Sequence, residues 1–240
     1  MKKIKNGLLW FLRSFLWLAP LLFIFDLVTK IICVKHNVDV TIIPGFFYFK
    51  LEHNPGMAWS ILSDYPWLLA TLSVIAFLAL CVYVGLKYKK LRFITKISLY
   101  LMIAGCAGNM IDRVGQFVKG SIYEGGVIDF ISFYFGKKIG FFPTFNIADM
   151  CLVIGVLILV VVMIVDEIIL LRARNKTEDV KKEIATYLEK NPESEQKEQL
   201  TNLMKAMEKA LVDRYQKKEW ESLYQEIHEI IDNKEEIPHE

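Results

Sequence analysis

Apolar and polar positions alternate on two different length scales along this chain. Four long runs are almost wholly apolar: Ser14–Val34, Trp67–Leu86, Phe93–Ile111 and Ile147–Leu171. Each is about twenty residues long, enough for a helix to cross the hydrocarbon core of a bilayer. Between the first two runs, "TIIPGFFYFKLEHNPGMAWSIL" alternates β-branched, aromatic and polar residues around a central turn. That pattern predicts a small β-hairpin lying on the membrane surface, with Tyr48, Trp59, Tyr65 and Trp67 fit for an aromatic belt. After Leu171 the period becomes helical and amphipathic: Leu200, Leu203, Met204, Met207 and Leu211, then Leu223, Tyr224, Ile227, Ile230 and Ile231. Asn191-Pro192 interrupts this region before the second of three short helices.

Composition agrees with a polytopic membrane protein: 54% of the 240 residues are hydrophobic and the mean hydropathy is +0.33, above what soluble domains carry. The start, "MKKIKNGLLWFLRSFLWLAPLLF", has a basic head and an apolar run, but no small-x-small cleavage pattern follows. It is therefore expected to be a retained first helix, kinked at Pro20. Basic residues cluster before the first span (Lys2, Lys3, Lys5, Arg13), between the second and third (Lys87, Lys89, Lys90, Arg92) and after the fourth (Arg172, Arg174, Lys176). All three clusters fall on one side, so both termini are expected in the cytoplasm, with the two long connections facing outward. Residues 1–171 carry 16 basic and 10 acidic side chains, whereas residues 172–240 carry 13 and 17. The expected organisation is a four-helix transmembrane domain, 1–171, with an outward β-hairpin or small sheet, and a charged helical cytoplasmic extension, 172–240. The extension has no catalytic motif and reads as a helical hairpin or a surface for a cytoplasmic protein partner. Cys33, Cys81, Cys106 and Cys151 have neither metal nor redox spacing and read as packing residues.

With this topology the polar residues of the spans gather at one membrane face. Asp26 and Lys30 lie in the outer part of the first span. Asn109, Asp112 and Arg113 end the third, and Asn146 and Asp149 open the fourth. Asn54 and Asp129 lie in the two outer connections. Each has a purely structural reading: Asp26 and Lys30 can pair across one helical turn, Arg113 can anchor at the interface, Asn146 and Asp149 have the spacing of a helix cap, and Asn54-Pro55-Gly56 can be a turn. Their convergence on one face points to function, because ionisable groups at membrane depth are costly. The same face carries a hairpin able to hold an extended peptide by strand addition.

The motifs "FDLVTK", "NPGMAWS", "GNMIDRV", "GVIDF" and "FNIAD", in this order across residues 14–171, resemble the lipoprotein signal peptidases (signal peptidase II). The resemblance implies a membrane aspartic endopeptidase of the bacterial inner or plasma membrane. Its substrate would be a diacylglyceryl-modified prolipoprotein, cut just before the lipidated cysteine at the outer face. Carried over by motif, Asp129 and Asp149 are the implied catalytic pair. Asn54, Asn109, Arg113 and Asn146 are implied to bind substrate or shape the site, and Asp26, Lys30 and Asp112 to support it. Three features depart from the family pattern: a longer stretch from Asp112 to Asp129, Pro55 and Met57 in "NPGMAWS", and the tail. The 116–126 stretch is expected to be a mobile outward loop, either a lid or a tolerated insertion.

Two neighbouring carboxylates share one proton, so one can activate water while the other protonates the scissile carbonyl. Asp149 at a helix start is expected to be the more acidic of the two, leaving the proton on Asp129. His36 and His53 are the histidines near the outer face, and neither belongs to a motif. No His/Cys cluster accompanies the aspartates, so neither a metal nor another cofactor is expected. Membrane lipids are expected partners and nucleic acid is not. Two other readings remain open from the residues alone: a proton-coupled or small-solute transporter, and a membrane adaptor acting through its tail.

Overall fold

In a computed structural model, the structure describes residues 14–56, 62–192, 195–212 and 216–232. The basic head with Lys2, Lys3, Lys5 and Arg13 lies outside the described residues, as do Met57 and Trp59. The elements run in the order α1 (Leu18–Lys35), β1 (Asp39–Ile43), β2 (Phe47–Asn54), α2 (Pro66–Lys87), α3 (Phe93–Gly115), β3 (Val127–Phe133), α4 (Ile147–Lys190), α5 (Lys197–Val212) and α6 (Lys217–Asp232), with single helical turns at Tyr88–Lys90 and Gly136–Ile139. Two compact units result, Met1–Val162 and Met163–Glu240, with the division inside α4.

Among the described residues, three helical stretches are long and apolar enough to cross a membrane: Pro66–Lys90, Phe93–Gly115 and Ile147–Lys190. On length and composition alone α1 falls short, because its eighteen residues include Asp26, Lys30 and Lys35. It also starts later than the sequence pattern predicts. A turn at Phe15–Trp17, with Phe15 at φ 55°, precedes it. Pro20 therefore stands in the first turn of α1, where its missing N–H costs no helical hydrogen bond, and it is no mid-span kink.

In the first unit α3 packs against both α1 and α2. Its small residues set the contact with α4: a Cβ at Gly105 would strike the Ala148 carbonyl and Leu152, and one at Gly108 would strike Asp26 and Ala148. Close backbone approach through small residues is how helices associate where lipid removes the hydrophobic drive. Ser98 Oγ adds a hydrogen bond to the Gly155 carbonyl at 2.7 Å. The opposite faces of α2 and α4 expose Leu72, Ile75, Leu78, Val82, Val153, Leu157 and Val161, a surface suited to hydrocarbon and not to water.

The sheet is three-stranded and antiparallel in the order β1-β2-β3. A hairpin forms, β1–β2, but it spans Asp39–Asn54 and turns at Pro44–Phe46, near the start of the expected stretch instead of its middle, with Gly45 at φ 77°. The third strand departs from the sequence pattern: "VIDFISF", placed by that pattern in a connection, forms β3 and is buried along its first six residues. Its β-branched and aromatic content suits a strand, but without alternation its burial on both faces was invisible. In the second unit the two amphipathic stripes of the tail bury each other. Leu200, Met204, Met207, Trp220 and Ile227 share one core with Val180, Ile184 and Tyr187 of α4, and Trp220 Nε1 donates to Thr177 Oγ1 at 2.9 Å.

Candidate active site

Three elements bring the polar residues together: the C-terminal end of α3, the strand β3 and the start of α4. The segment entering α4 runs beside β3. Ile131 and Phe145 exchange backbone hydrogen bonds of 2.8 and 3.0 Å, which sets the next residue, Asn146, level with Asp129. Asn146 then caps α4 in a reciprocal box. The Asp149 N–H donates to Asn146 Oδ1 at 2.9 Å, and the Asn146 N–H donates to Asp149 Oδ2 at 3.1 Å. The cap expected from the spacing is present, and it holds the Asp149 carboxylate next to Asn146.

Asn146, fully buried, spends its amide NH2 on Asp129 Oδ1 at 2.7 Å, with Asn109 Oδ1 and the Ile128 carbonyl at 3.1 and 3.2 Å. One side chain thus spans both aspartates. Asp129 also accepts a hydrogen bond from Asn54 Nδ2 at 3.1 Å. In register Asn54 faces Val127 and Glu52 faces Asp129, so Asn54 reaches Asp129 diagonally across one face of the sheet. Asn54 Oδ1 meanwhile accepts the Gly56 N–H at 3.0 Å; its turn role and its site role are both present. Asp149 Oδ1 accepts from Asn109 Nδ2 at 2.7 Å.

Asp129 is 2% exposed. Burial, then the charge of Asp149, push its carboxyl from 3.8 up to about 8, against the opposing hydrogen bonds of Asn54 and Asn146. A carboxyl so placed keeps its proton at neutral pH. Arg113 forms no ion pair with a described residue; half-buried, it faces the charges of Asp149, Asp129 and Asp112 from the end of α3. A cation there offsets the accumulated negative charge without quenching either aspartate by direct pairing.

Behind the pair lies a second group. Lys30 is buried and bridges Asp26 at 2.8 Å and Asp112 at 2.7 Å, with Asn109 Oδ1 at 3.4 Å. The expected i, i+4 pair of Asp26 and Lys30 is thus part of a triad that joins α1 to α3. Asp26, Asn54, Lys30, Asn109, Asp112, Asp129, Asn146 and Asp149 are thus joined by hydrogen bonds and ion pairs, whereas Arg113 meets the aspartates through charge alone. Sequence reasoning missed Glu52 and Thr144, which hydrogen-bond at 2.7 Å beside Asp129's strand position. Burial raises the Glu52 carboxyl, but Thr144 and Lys50 outweigh it and hold the group below its usual range. No motif marked either residue; only strand register brings them here.

Residues 18–165 match the family of signal peptidase (SPase) II. The chain belongs to the signal peptidase II family. It is similar to the lipoprotein signal peptidase of Listeria monocytogenes serotype 4a, with 34% identity over 145 residues covering 59% of this chain and 87% of the relative. The counterparts in Clostridium acetobutylicum and Bacillus pumilus are each 33% identical, covering 59% of this chain and 88% and 86% of their own lengths. A solved bacterial membrane enzyme, obtained by the in meso method at 2.3 Å resolution, superposes with a TM-score of 0.54 at 34% identity, covering 65% of this chain and 89% of that one. A second, at 1.9 Å resolution, gives 0.50 at 34% identity, covering 63% and 92%. This family makes the chain a protease, and with its long apolar helices it belongs to a bacterial membrane.

Proposed function

We propose that this chain is an aspartic endopeptidase that removes the signal peptide from diacylglyceryl-modified prolipoproteins, cutting just before the lipidated cysteine. The observation that carries the reading is the shared amide of Asn146, which holds Asp129 directly and, through its helix cap, Asp149. Asp129 enters with the proton and Asp149 as the anion. Asp149 takes a proton from water, Asp129 gives one to the scissile carbonyl oxygen, and the roles reverse as the amine leaves. Asn54, Asn109, Arg113 and Asn146 orient the pair and the bound peptide, and Asp26, Lys30 and Asp112 support them.

In this reading α1 is the fourth membrane helix, its charged pair satisfied within the protein. Both termini are cytoplasmic, the aspartates lie near the outer surface, and residues 1–171 form the peptidase domain, with 172–240 as a cytoplasmic extension. The edge strand β1 of the same sheet suits main-chain pairing with an extended substrate. Incubation of the purified protein with a diacylated prolipoprotein is expected to release the signal peptide and leave a product beginning at the lipidated cysteine. An intact precursor, with the enzyme folded, would refute the reading.

A further inference from the structure

Both aspartates follow a residue whose backbone N–H is held by another carboxylate. Ile128, just before Asp129, donates to Asp112 Oδ2 at 3.1 Å. Ala148, just before Asp149, donates to Asp26 Oδ1 at 2.8 Å. One lysine holds both of those carboxylates, at 2.7 and 2.8 Å. Lys30 and Asp112 are 0% exposed and Asp26 is 1% exposed.

The same ammonium faces Asn109 Oδ1 at 3.4 Å. An ammonium can donate but never accept, so it decides which end of the Asn109 amide it meets. The oxygen turns toward Lys30, and the NH2 must then point the other way, onto Asp149 Oδ1 at 2.7 Å. A flipped amide would set NH2 against ammonium and carbonyl oxygen against the Asp149 carboxylate, two repulsions in a poorly solvated interior. The same Asn109 oxygen also accepts from Asn146 Nδ2 at 3.1 Å, which carries the constraint on toward Asp129.

We propose that Lys30, acting through Asp26, Asp112 and Asn109, is the positioning residue of the site: it sets the backbone before each aspartate and the direction of the amide that faces Asp149. It touches no substrate. This rests on the aspartic-pair reading, and the test separates the two.

The variants are Lys30→Gln, whose side chain no longer dictates the amide, and Lys30→Arg, which again only donates. Turnover of a diacylated precursor peptide is measured per folded molecule, with folded protein counted by precursor-binding stoichiometry, alongside Asp149→Asn. Lys30→Gln is expected to lower kcat about a hundredfold, the scale of a misplaced catalytic geometry, with KM little changed. Lys30→Arg is expected to recover most of that loss. A purely structural lysine would instead reduce the folded fraction and leave kcat per folded molecule intact, which overturns the proposal. Because Lys30→Gln leaves two buried carboxylates without their cation, the triple variant D26N/K30Q/D112N gives the same two readings if the single variant does not fold. If neither folds, the distance in the wild type between labelled Asn109 Nδ2 and the Asp149 carboxyl carbon decides by solid-state NMR: short supports the assignment, and a reversed amide overturns it. Normal cleavage by Asp149→Asn would sink the aspartic-pair reading itself, and is distinct from both failures.

Discussion

Asp129 and Asp149 differ in their surroundings although they share a partner. Asp129 sits on a buried strand and accepts from two amides, whereas Asp149 opens a helix and accepts one amide and one backbone N–H. Replacing either with Asn keeps shape and polarity and removes the ability to exchange a proton. In the proposed mechanism the two act as a unit, so each single variant is expected to lose cleavage by several orders of magnitude while still binding precursor, and the double variant should be scarcely worse. A single-turnover assay with a binding control checks this. The raised Asp129 carboxyl also has a stability consequence. The native state holds a proton that the unfolded chain releases from 3.8 upward, so this contribution is complete below that value and is lost as pH rises through about 8. The melting temperature in detergent is expected to fall across that window in the wild type and to fall less in Asp129→Asn. Parallel curves for the two proteins would show that Asp129 ionises in the folded state as it does in the unfolded.

At the scale of elements, the site depends on how closely β2, β3 and α4 approach one another. Gly126, at φ +123°, leads into β3, and a Cβ there would run into the Asn54 carbonyl and the Pro55 backbone. Those atoms are main chain and have no rotamer to escape into. Gly126→Ala is expected to destabilise the protein by about 1–3 kcal/mol and to weaken cleavage as well, since Asn54 is the residue displaced. Thermal melting and turnover on the same preparation test both effects. The 116–126 stretch, which lacks a sustained period in the sequence, is a chain of tight turns. Backbone hydrogen bonds join Ser121 to Val118 and Gly126 to Tyr123, and Ser121 Oγ donates to the Gly115 carbonyl at 2.8 Å. The Tyr123 ring packs against Gly115, where burial, then the charge of Asp112, push its phenol above the usual range.

At the scale of the whole molecule, the family match ends at residue 165, and the second unit carries a hydrophobic core of its own. Its stripes satisfy each other among the described residues, and its ion pairs, such as Lys181 with Glu208 at 3.2 Å, are exposed and weakly stabilising. Truncation after about Arg174 is therefore expected to leave precursor cleavage within a few-fold of the full chain. A hundredfold loss in folded, membrane-inserted protein would make the second unit part of the enzyme.

The sequence alone determined whatever depends on local period and ordered motifs. The apolar runs at Trp67–Leu86 and Phe93–Ile111 marked α2 and α3 to within a few residues. The stripes from Leu200 to Ile231 marked helices that bury one face, and the spacing of Asn146 and Asp149 marked a helix start. The five motifs carried the family, because their order across the chain is far more specific than any one of them. Three facts were decided only by tertiary structure. β3 is a strand because β2 and Phe145 supply partners to its backbone, and no local pattern distinguishes such a doubly covered strand from a connection. Glu52 and Thr144 meet because strand register and a loop bring them together across 92 positions of chain. Lys30 serves two carboxylates instead of one because α1, α3 and the glycine-lined start of α4 pack within reach of a single ammonium. The sequence shows the i, i+4 pair with Asp26, but the link to Asp112 is a long-range contact, and such contacts exist only once the helices are packed.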